Sequence, residues 1–240
     1  MTFVRSTLWF VYFLAVSVAM HIAALPTLVL PRRAIVRTSQ AWSRVLLWGL
    51  KRIAGLDYEV RGEIPRGAVL VAAKHMSMWD TIALYLLLDD TVIVLKRELL
   101  AIPFYGWYLK KAGMIAIDRA AAGNALRRMA AQGREVAAQG RSIVIFPEGT
   151  RKKPGAAPDY KPGVAGLYTQ LALPCVPVAL NSGQFWSGFA RRPGRIVIEF
   201  LPPIPAGLKR ADFMRELQTR IETATAGLLA EGNKLLEKQP

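Results

Sequence analysis

The sequence predicts an α/β domain with a largely buried sheet, preceded by an N-terminal helical module that binds membrane. Three observations carry this expectation. A 23-residue run near the N-terminus, Leu8 to Leu30, holds no formal charge. Beyond Gly55, short β-branched runs alternate with helical patterns, the rhythm of α/β proteins. Throughout, a basic excess coexists with high apolar content: 32 Lys+Arg stand against 17 Asp+Glu, a formal charge of +15, while 52% of the 240 residues are hydrophobic. Basic and apolar chains suit anionic lipid, which attracts each Lys or Arg near its surface by roughly 1 kcal/mol.

The N-terminal run, "LWFVYFLAVSVAMHIAALPTLVL", would measure about 34 Å as one helix, enough to cross a hydrocarbon core of about 30 Å. A signal peptide has a shorter apolar region, about 7–15 residues. Arg5 precedes the run and Arg32, Arg33, Arg37 and Arg44 follow it, so the positive-inside rule puts the remainder on the cytoplasmic side of the inner (plasma) membrane. Pro26 permits a kinked or shallowly inserted helix instead. His21 lies inside this run and reads as an anchor residue. Next, "AWSRVLLWGLKRIAGL" spaces Trp42, Val45, Leu46, Leu50 and Ile53 at helical intervals with Arg44, Lys51 and Arg52 between them, an interfacial amphipathic helix or an ordinary core-facing one. The expected division is a membrane anchor and amphipathic helix at 1–55 and an α/β domain at 56–240.

Within that domain "YEV", "AVLVAA", "TVIVL", "GMIAI", "SIVIF", "CVPVAL" and "RIVIEFL" read as strands. "TIALYLLL", "ALRRMAAQGREVAAQ" and "DFMRELQTRIETATAGLLAEGNKLL" read as helices, and "KKPGAAPDYKPG" as a polar loop. The charge excess is +5 over residues 1–60, +4 over 61–150 and +6 over 151–240, so no single basic tail accounts for it. The lone Cys175 rules out an intrachain disulfide, fits a reducing compartment and reads as a small core residue.

Chemistry concentrates at the turn "KHMSMWD", between the strand "AVLVAA" and the helix "TIALYLLL". Five residues along a helix turn a side chain by about 140°, so His75 and Asp80 meet only if His75 precedes the helix and Asp80 sits in its first turn. Ser77 and Asp80 also match a capping box, which would give Asp80 a structural role. A carboxylate has two oxygens, so one can accept from imidazole while the other takes a backbone N–H. An imidazole held this way keeps one tautomer and is strengthened as a base. No Gly-x-Ser-x-Gly elbow supplies a nucleophile, which leaves the substrate's own hydroxyl for His75 to deprotonate.

A second strand ends in Phe146-Pro147-Glu148-Gly149-Thr150-Arg151. A phosphate could sit there against backbone N–H groups and Arg151, with Lys152, Lys153 and Lys161 trailing. The alternative is an ordinary turn with a salt-bridged Glu148. Lys96 and Arg119, at strand ends between the two motifs, suit an anionic ligand or are solvated surface charges.

Taken together, "KHMSMWD", "KRELLAIPFYGWYLKKAGMIAIDR", "FPEGTR" with "YKPG", and "VPVALNSG" resemble the four ordered blocks of the 1-acyl-sn-glycerol-3-phosphate acyltransferases, over roughly residues 74–183. The resemblance implies a glycerolipid acyltransferase-like domain with a central, mostly parallel or mixed sheet flanked by helices. It implies acyl transfer from acyl-CoA or acyl carrier protein to the sn-2 hydroxyl of lysophosphatidate, forming phosphatidate without metal, cofactor or covalent intermediate. By position, His75 is the base and Asp80 its orienting partner. Glu148, Gly149 and Arg151 belong to the glycerophosphate-binding block, and Arg119 matches the arginine that closes the second block; Lys96 and Thr150 are further candidates for substrate binding. One departure is Lys74, where many members carry Asn; a lysine there could disfavour protonation of the base or touch the substrate's phosphate.

Relatives that acylate lyso-ornithine lipid or another lysolipid share these blocks. From a different class, a non-catalytic membrane protein holding anionic lipid fits the charge and the anchor. It does not require His75, Asp80, Glu148 and Arg151 in these places. A nucleic-acid partner is not expected, because of the long uncharged run.

Overall fold

The computed structural model describes residues 1–118 and 122–237, the side chains of residues 122–124 excepted. The apolar N-terminus forms α1, Thr2–Ala23, and then a 3-10 turn, Leu25–Leu28, that contains Pro26. The helix therefore starts six residues before the uncharged run and stops short of the proline. Proline lacks the N–H that would continue the ladder, and it sits at the start of the new turn. The second helix, α2, covers Arg32–Gly49 and runs into a π-helical turn, Leu50–Ala54, closed by Gly55 in the left-handed region at φ 69°. Leu46 and Leu50 face the core, whereas Val45 and Trp48 are exposed.

Although α1 has the length and apolar character to cross a membrane, it lies along the rest of the molecule instead of projecting from it. Ser6 Oγ accepts from Arg191 N at 2.8 Å, and Tyr12 Oη donates to Val45 O at 2.8 Å. Farther along, Trp42 Nε1 donates to Ser17 Oγ at 3.2 Å, and Tyr108 Oη donates to His21 O at 2.6 Å. These contacts sample nearly the whole 22-residue helix, about 33 Å at 1.5 Å per residue.

All seven expected strands form. They are β1 (Leu56–Arg61), β2 (Leu70–Ala73), β3 (Val92–Lys96), β4 (Ile115–Ile117), β5 (Ile143–Ile145), β6 (Cys175–Leu180) and, after a small hairpin of β7 (Trp186–Ser187) and β8 (Ala190–Arg191), β9 (Gly194–Phe200). The seven-stranded sheet runs β1-β9-β6-β2-β5-β3-β4. Strands β2 to β6 are mutually parallel, and the β6–β9 pair is antiparallel, so β9 and its parallel neighbour β1 reverse direction.

Strand side chains alternate between two cores. Val71 and Ala73 join Trp9, Leu46, Trp79 and Leu84 on the face covered by α1, α2 and α3 (Met78–Leu87). Leu70 and Ala72 join Met129, Leu167 and Phe213 on the face covered by α5 (Ala122–Ala138), α6 (Gly163–Leu171) and α8 (Arg210–Glu237). The first core is continuous from Trp9 in α1 to Ile198 in β9. Between β3 and β4 lies α4, Tyr105–Ala112, and after β6 a single turn, α7, Ser182–Phe185. Cys175 is fully buried and burial pushes its thiol well above the usual range, as a core residue requires.

Candidate active site

Because β2, β3, β5 and β6 are parallel, their C-terminal ends share one edge of the sheet. His75 follows β2, Lys96 ends β3, Glu148 follows β5 and Ser182 follows β6. All four sequence blocks thus reach the edge where parallel α/β sheets place their ligands.

The His75–Asp80 pair takes the geometry its spacing requires. Ser77 is the N-cap of α3 in an extended conformation (φ −147°, ψ 174°), which puts His75 before the helix and Asp80 three residues into it. His75 Nδ1 lies 2.9 Å from Asp80 Oδ2. The same oxygen accepts from the backbone N–H of Met76 at 2.7 Å and of Ser77 at 2.9 Å. The expected division of labour between the two oxygens is therefore not the one adopted. Oδ2 serves both imidazole and cap, and Oδ1 accepts from the hydroxyls of Ser77 at 3.1 Å and Ser182 at 2.5 Å. Asp80 is wholly buried, while the His75 side chain keeps 12% of its surface exposed. The Phe146 ring stacks on the imidazole, with centroids 3.9 Å apart and planes inclined by 19°. With its plane fixed by Phe146 and Nδ1 fixed by Asp80, His75 presents Nε2 as the nitrogen free for chemistry.

Lys74 points the other way. Its ammonium is buried, 2.9 Å from Glu148 Oε1 and 2.7 Å from Glu222 Oε1 of α8. Tyr160 Oη donates to the same Glu222 oxygen at 2.9 Å. Lys74 therefore has protein carboxylates where substrate phosphate was one expectation. Glu148 is salt-bridged as well as placed at the site edge: it is 1% exposed, and Oε2 is buried without a hydrogen-bond partner among the described residues. Burial pushes the Glu148 carboxyl up, partly offset by Lys74.

The remaining residues of the second motif lie at the surface beside His75. Lys152 N donates to His75 O at 2.9 Å, which draws the turn against His75. Gly149 adopts φ 64°, a conformation that glycine takes without steric cost. Thr150 and Arg151 are exposed, and among the described residues Arg151 forms no ion pair. Lys96 is exposed at its strand end, and Lys161 is held by Asp159 at 2.8 Å. Arg119 lies outside the described residues. Among the described residues no three His, Cys, Asp or Glu side chains come together as a cation-binding group.

The acyltransferase family matches residues 57–181, more than half of the chain. This chain is a member of the acyltransferase family. It is 38% identical over 208 residues to the 1-acyl-sn-glycerol-3-phosphate acyltransferase of Pseudomonas aeruginosa, covering 85% of this chain and 81% of that one. It is 34% identical over 169 residues to the mouse 1-acyl-sn-glycerol-3-phosphate acyltransferase alpha, covering 67% and 59%. A lyso-ornithine lipid O-acyltransferase of Pseudomonas aeruginosa is 30% identical over 212 residues, covering 78% and 80%. The fold matches the crystal structure of the Thermotoga maritima acyltransferase PlsC with a TM-score of 0.79 at 19% identity, over 95% of this chain and 98% of that one.

Four residues of this candidate site were not singled out by sequence reasoning. Ser182 bonds Asp80 from 102 residues away, Phe146 faces the imidazole, and Glu222 and Tyr160 complete the environment of Lys74. Ser182 and Tyr160 do stand in the quoted blocks "VPVALNSG" and "YKPG", which was the available signal. Glu222, in the middle of a long amphipathic helix, carried none.

Proposed function

We propose that this acyltransferase moves a fatty acyl chain from an acyl thioester, acyl-CoA or acyl carrier protein, to the sn-2 hydroxyl of 1-acyl-sn-glycerol-3-phosphate. The observation that carries the reaction is the His75 Nδ1–Asp80 Oδ2 contact of 2.9 Å at the parallel-strand edge. The acceptor rests on the names and coverage of the bacterial and mammalian relatives.

In the reaction, His75 Nε2 takes the proton of the sn-2 hydroxyl as its oxygen attacks the thioester carbonyl carbon. The new C–O bond forms, the C–S bond breaks, and the imidazolium returns the proton to the departing thiolate. Asp80, already held by hydrogen bonds at both oxygens, stabilises the imidazolium without reorganising. Arg151 is the residue offered to the acceptor's phosphate, since a guanidinium donates two parallel hydrogen bonds to phosphate oxygens. Gly149 and Thr150 shape the same turn, and Lys96 and Arg119 are further candidates for contact with the anionic substrates. No metal or cofactor is needed for these steps.

The same reading places the protein on the inner membrane with the catalytic domain towards the cytoplasm, where the thioester donors are made. The lengthwise contacts of α1 favour a helix lying in one leaflet over one that spans. Purified protein given lysophosphatidate or lyso-ornithine lipid with each donor tests the proposal. Phosphatidate formation is the expected result, and acylation of lyso-ornithine lipid alone would reassign the acceptor.

A further inference from the structure

The hairpin formed by β7 and β8 is small, yet its turn carries an exposed aromatic residue. Gly188 turns the chain at φ 54°, and Phe189 beside it is 44% exposed. Phe189 does not stand alone. Its ring centroid lies 5.9 Å from Phe3 and 5.8 Å from Phe10, both on α1 and themselves 75% and 39% exposed. Seven residues apart, Phe3 and Phe10 occupy one helix face, and the exposed Leu14, Val18 and Ile22 continue it along α1. The hairpin tip thus prolongs, at its N-terminal end, the one apolar stripe that the fold leaves uncovered on that helix.

The hairpin is also fixed firmly to α1. The Arg191 guanidinium lies 4.0 Å from the Trp186 ring centroid and 4.8 Å from that of Trp9, a cation held by two indoles. Arg191 Nη1 donates to Gly188 O at 2.8 Å, which braces the turn, and Arg191 N bonds Ser6 Oγ. Burial brings this guanidinium down to about 10, still charged at neutral pH. Such a mount holds Phe189 in one place relative to α1. Around the base, Arg192 is exposed, and Arg5 reaches beside Gly55, as does Pro193. An apolar tip continuous with the apolar face of a membrane helix and rimmed by arginines matches an anionic lipid surface.

We propose that this hairpin is a second membrane-inserting element, whose Phe189 enters the lipid beside Phe3 and Phe10. The inference rests on the membrane-bound reading given above. It makes α1 and the hairpin one rigid wedge, so the depth and tilt of the catalytic domain are set by two points of the chain and not by the N-terminus alone.

The native Cys175 is fully buried, so a Phe189→Cys variant of the full chain offers one accessible thiol. This can carry a nitrobenzoxadiazole label on vesicles of phosphatidylglycerol and phosphatidylethanolamine containing doxyl-labelled lipid. Phe3→Cys serves as the α1 reference, and Arg215→Cys, on the opposite face of the sheet, as the solvent reference. Quenching at positions 189 and 3 but not at 215 is expected. Phe189→Ser should weaken vesicle partition roughly tenfold, as expected for an aromatic side chain losing lipid burial. Quenching at 3 with none at 189 would overturn the wedge and leave the membrane reading standing. Quenching at neither would remove both, and a label at 189 shielded without vesicles would point to a protein partner and overturn the proposal.

Discussion

Lys74 Nζ and Glu148 Oε1 lie 2.9 Å apart with their side chains 2% and 1% exposed, directly behind the turn that carries His75. Replacing Lys74 leaves two carboxylates, Glu148 and Glu222, facing one another without their shared cation. Lys74→Met should cost about 3–5 kcal/mol in stability, the range for breaking a buried pair from one side. Lys74→Met/Glu148→Gln should recover much of it. The pH dependence has a definite sign. Burial raises the Glu148 carboxyl, so the folded state keeps that proton to higher pH than the unfolded chain, and stability falls as pH rises through the interval. Without Lys74 the rise is larger, so urea midpoints of wild type and Lys74→Met should differ more at pH 8 than at pH 5. Equal differences would mean that Glu148 does not titrate in that range.

Asp80 tests whether cap and catalysis share one side chain. Asp80→Asn retains one acceptor oxygen for the contacts now spread over Oδ1 and Oδ2, and loses the charge that stabilises imidazolium. Turnover should fall by roughly 10²-fold or more, and stability by about 1–2 kcal/mol as cap contacts are lost. Near-normal turnover with a lowered melting temperature would leave Asp80 a cap alone. Ser182→Ala, which removes one donor to Oδ1, should lower kcat by roughly tenfold with KM little changed. An unchanged kcat would make the Ser182 contact incidental.

The N-terminal module is fastened by a second charged pair. Arg32 of α2 meets Asp90 in a two-pronged contact, 2.5 Å from Oδ1 and 2.6 Å from Oδ2. Burial raises the Asp90 carboxyl, but the hydrogen bond from Arg32 and the charges of Arg141 and Arg32 outweigh it, so the net shift is downward. The stabilisation is then fully present above the ordinary carboxylate value of 3.8 and is lost as pH falls through the lowered one. Asp90→Asn, which tolerates the local φ of 44°, should cost about 1–3 kcal/mol at neutral pH and nothing in strong acid. A cost independent of pH would show that the charge is irrelevant.

Arg151→Lys keeps the charge but replaces a two-pronged donor with a point charge. KM for lysophosphatidate should rise while KM for the acyl donor stays close to wild type. An acceptor without a phosphate monoester should be less affected. Equal kinetics on lysophosphatidate would transfer the role to Lys152, Lys153 or Lys96.

The strands were legible because β-branched runs bounded by turns encode buried strands locally. The His75–Asp80 relation was legible because five residues of chain leave few ways for the two side chains to meet. Contacts made across the fold were not. Lys74 and Glu222 are 148 residues apart and Ser77 and Ser182 are 105 apart, and no local pattern announces either pair. Glu148 shows the limit most clearly. Its block marked a site, yet whether the carboxylate faces ligand or lysine depended on Lys74, a neighbour contributed by another strand. The start of α1 was misplaced because Arg5, Ser6 and Thr7 break an apolar run without breaking a helix. Ser6 and Thr7 bond carbonyls four residues back and stay within it.

The most direct test compares purified wild type and His75→Ala for phosphatidate formation from lysophosphatidate, with acyl-CoA and with acyl carrier protein as donors. The wild type should form product with at least one donor, and His75→Ala should lose about 10²–10⁴-fold or more while keeping its melting temperature and its attachment to vesicles. Wild-type turnover by a folded His75→Ala protein would contradict the account.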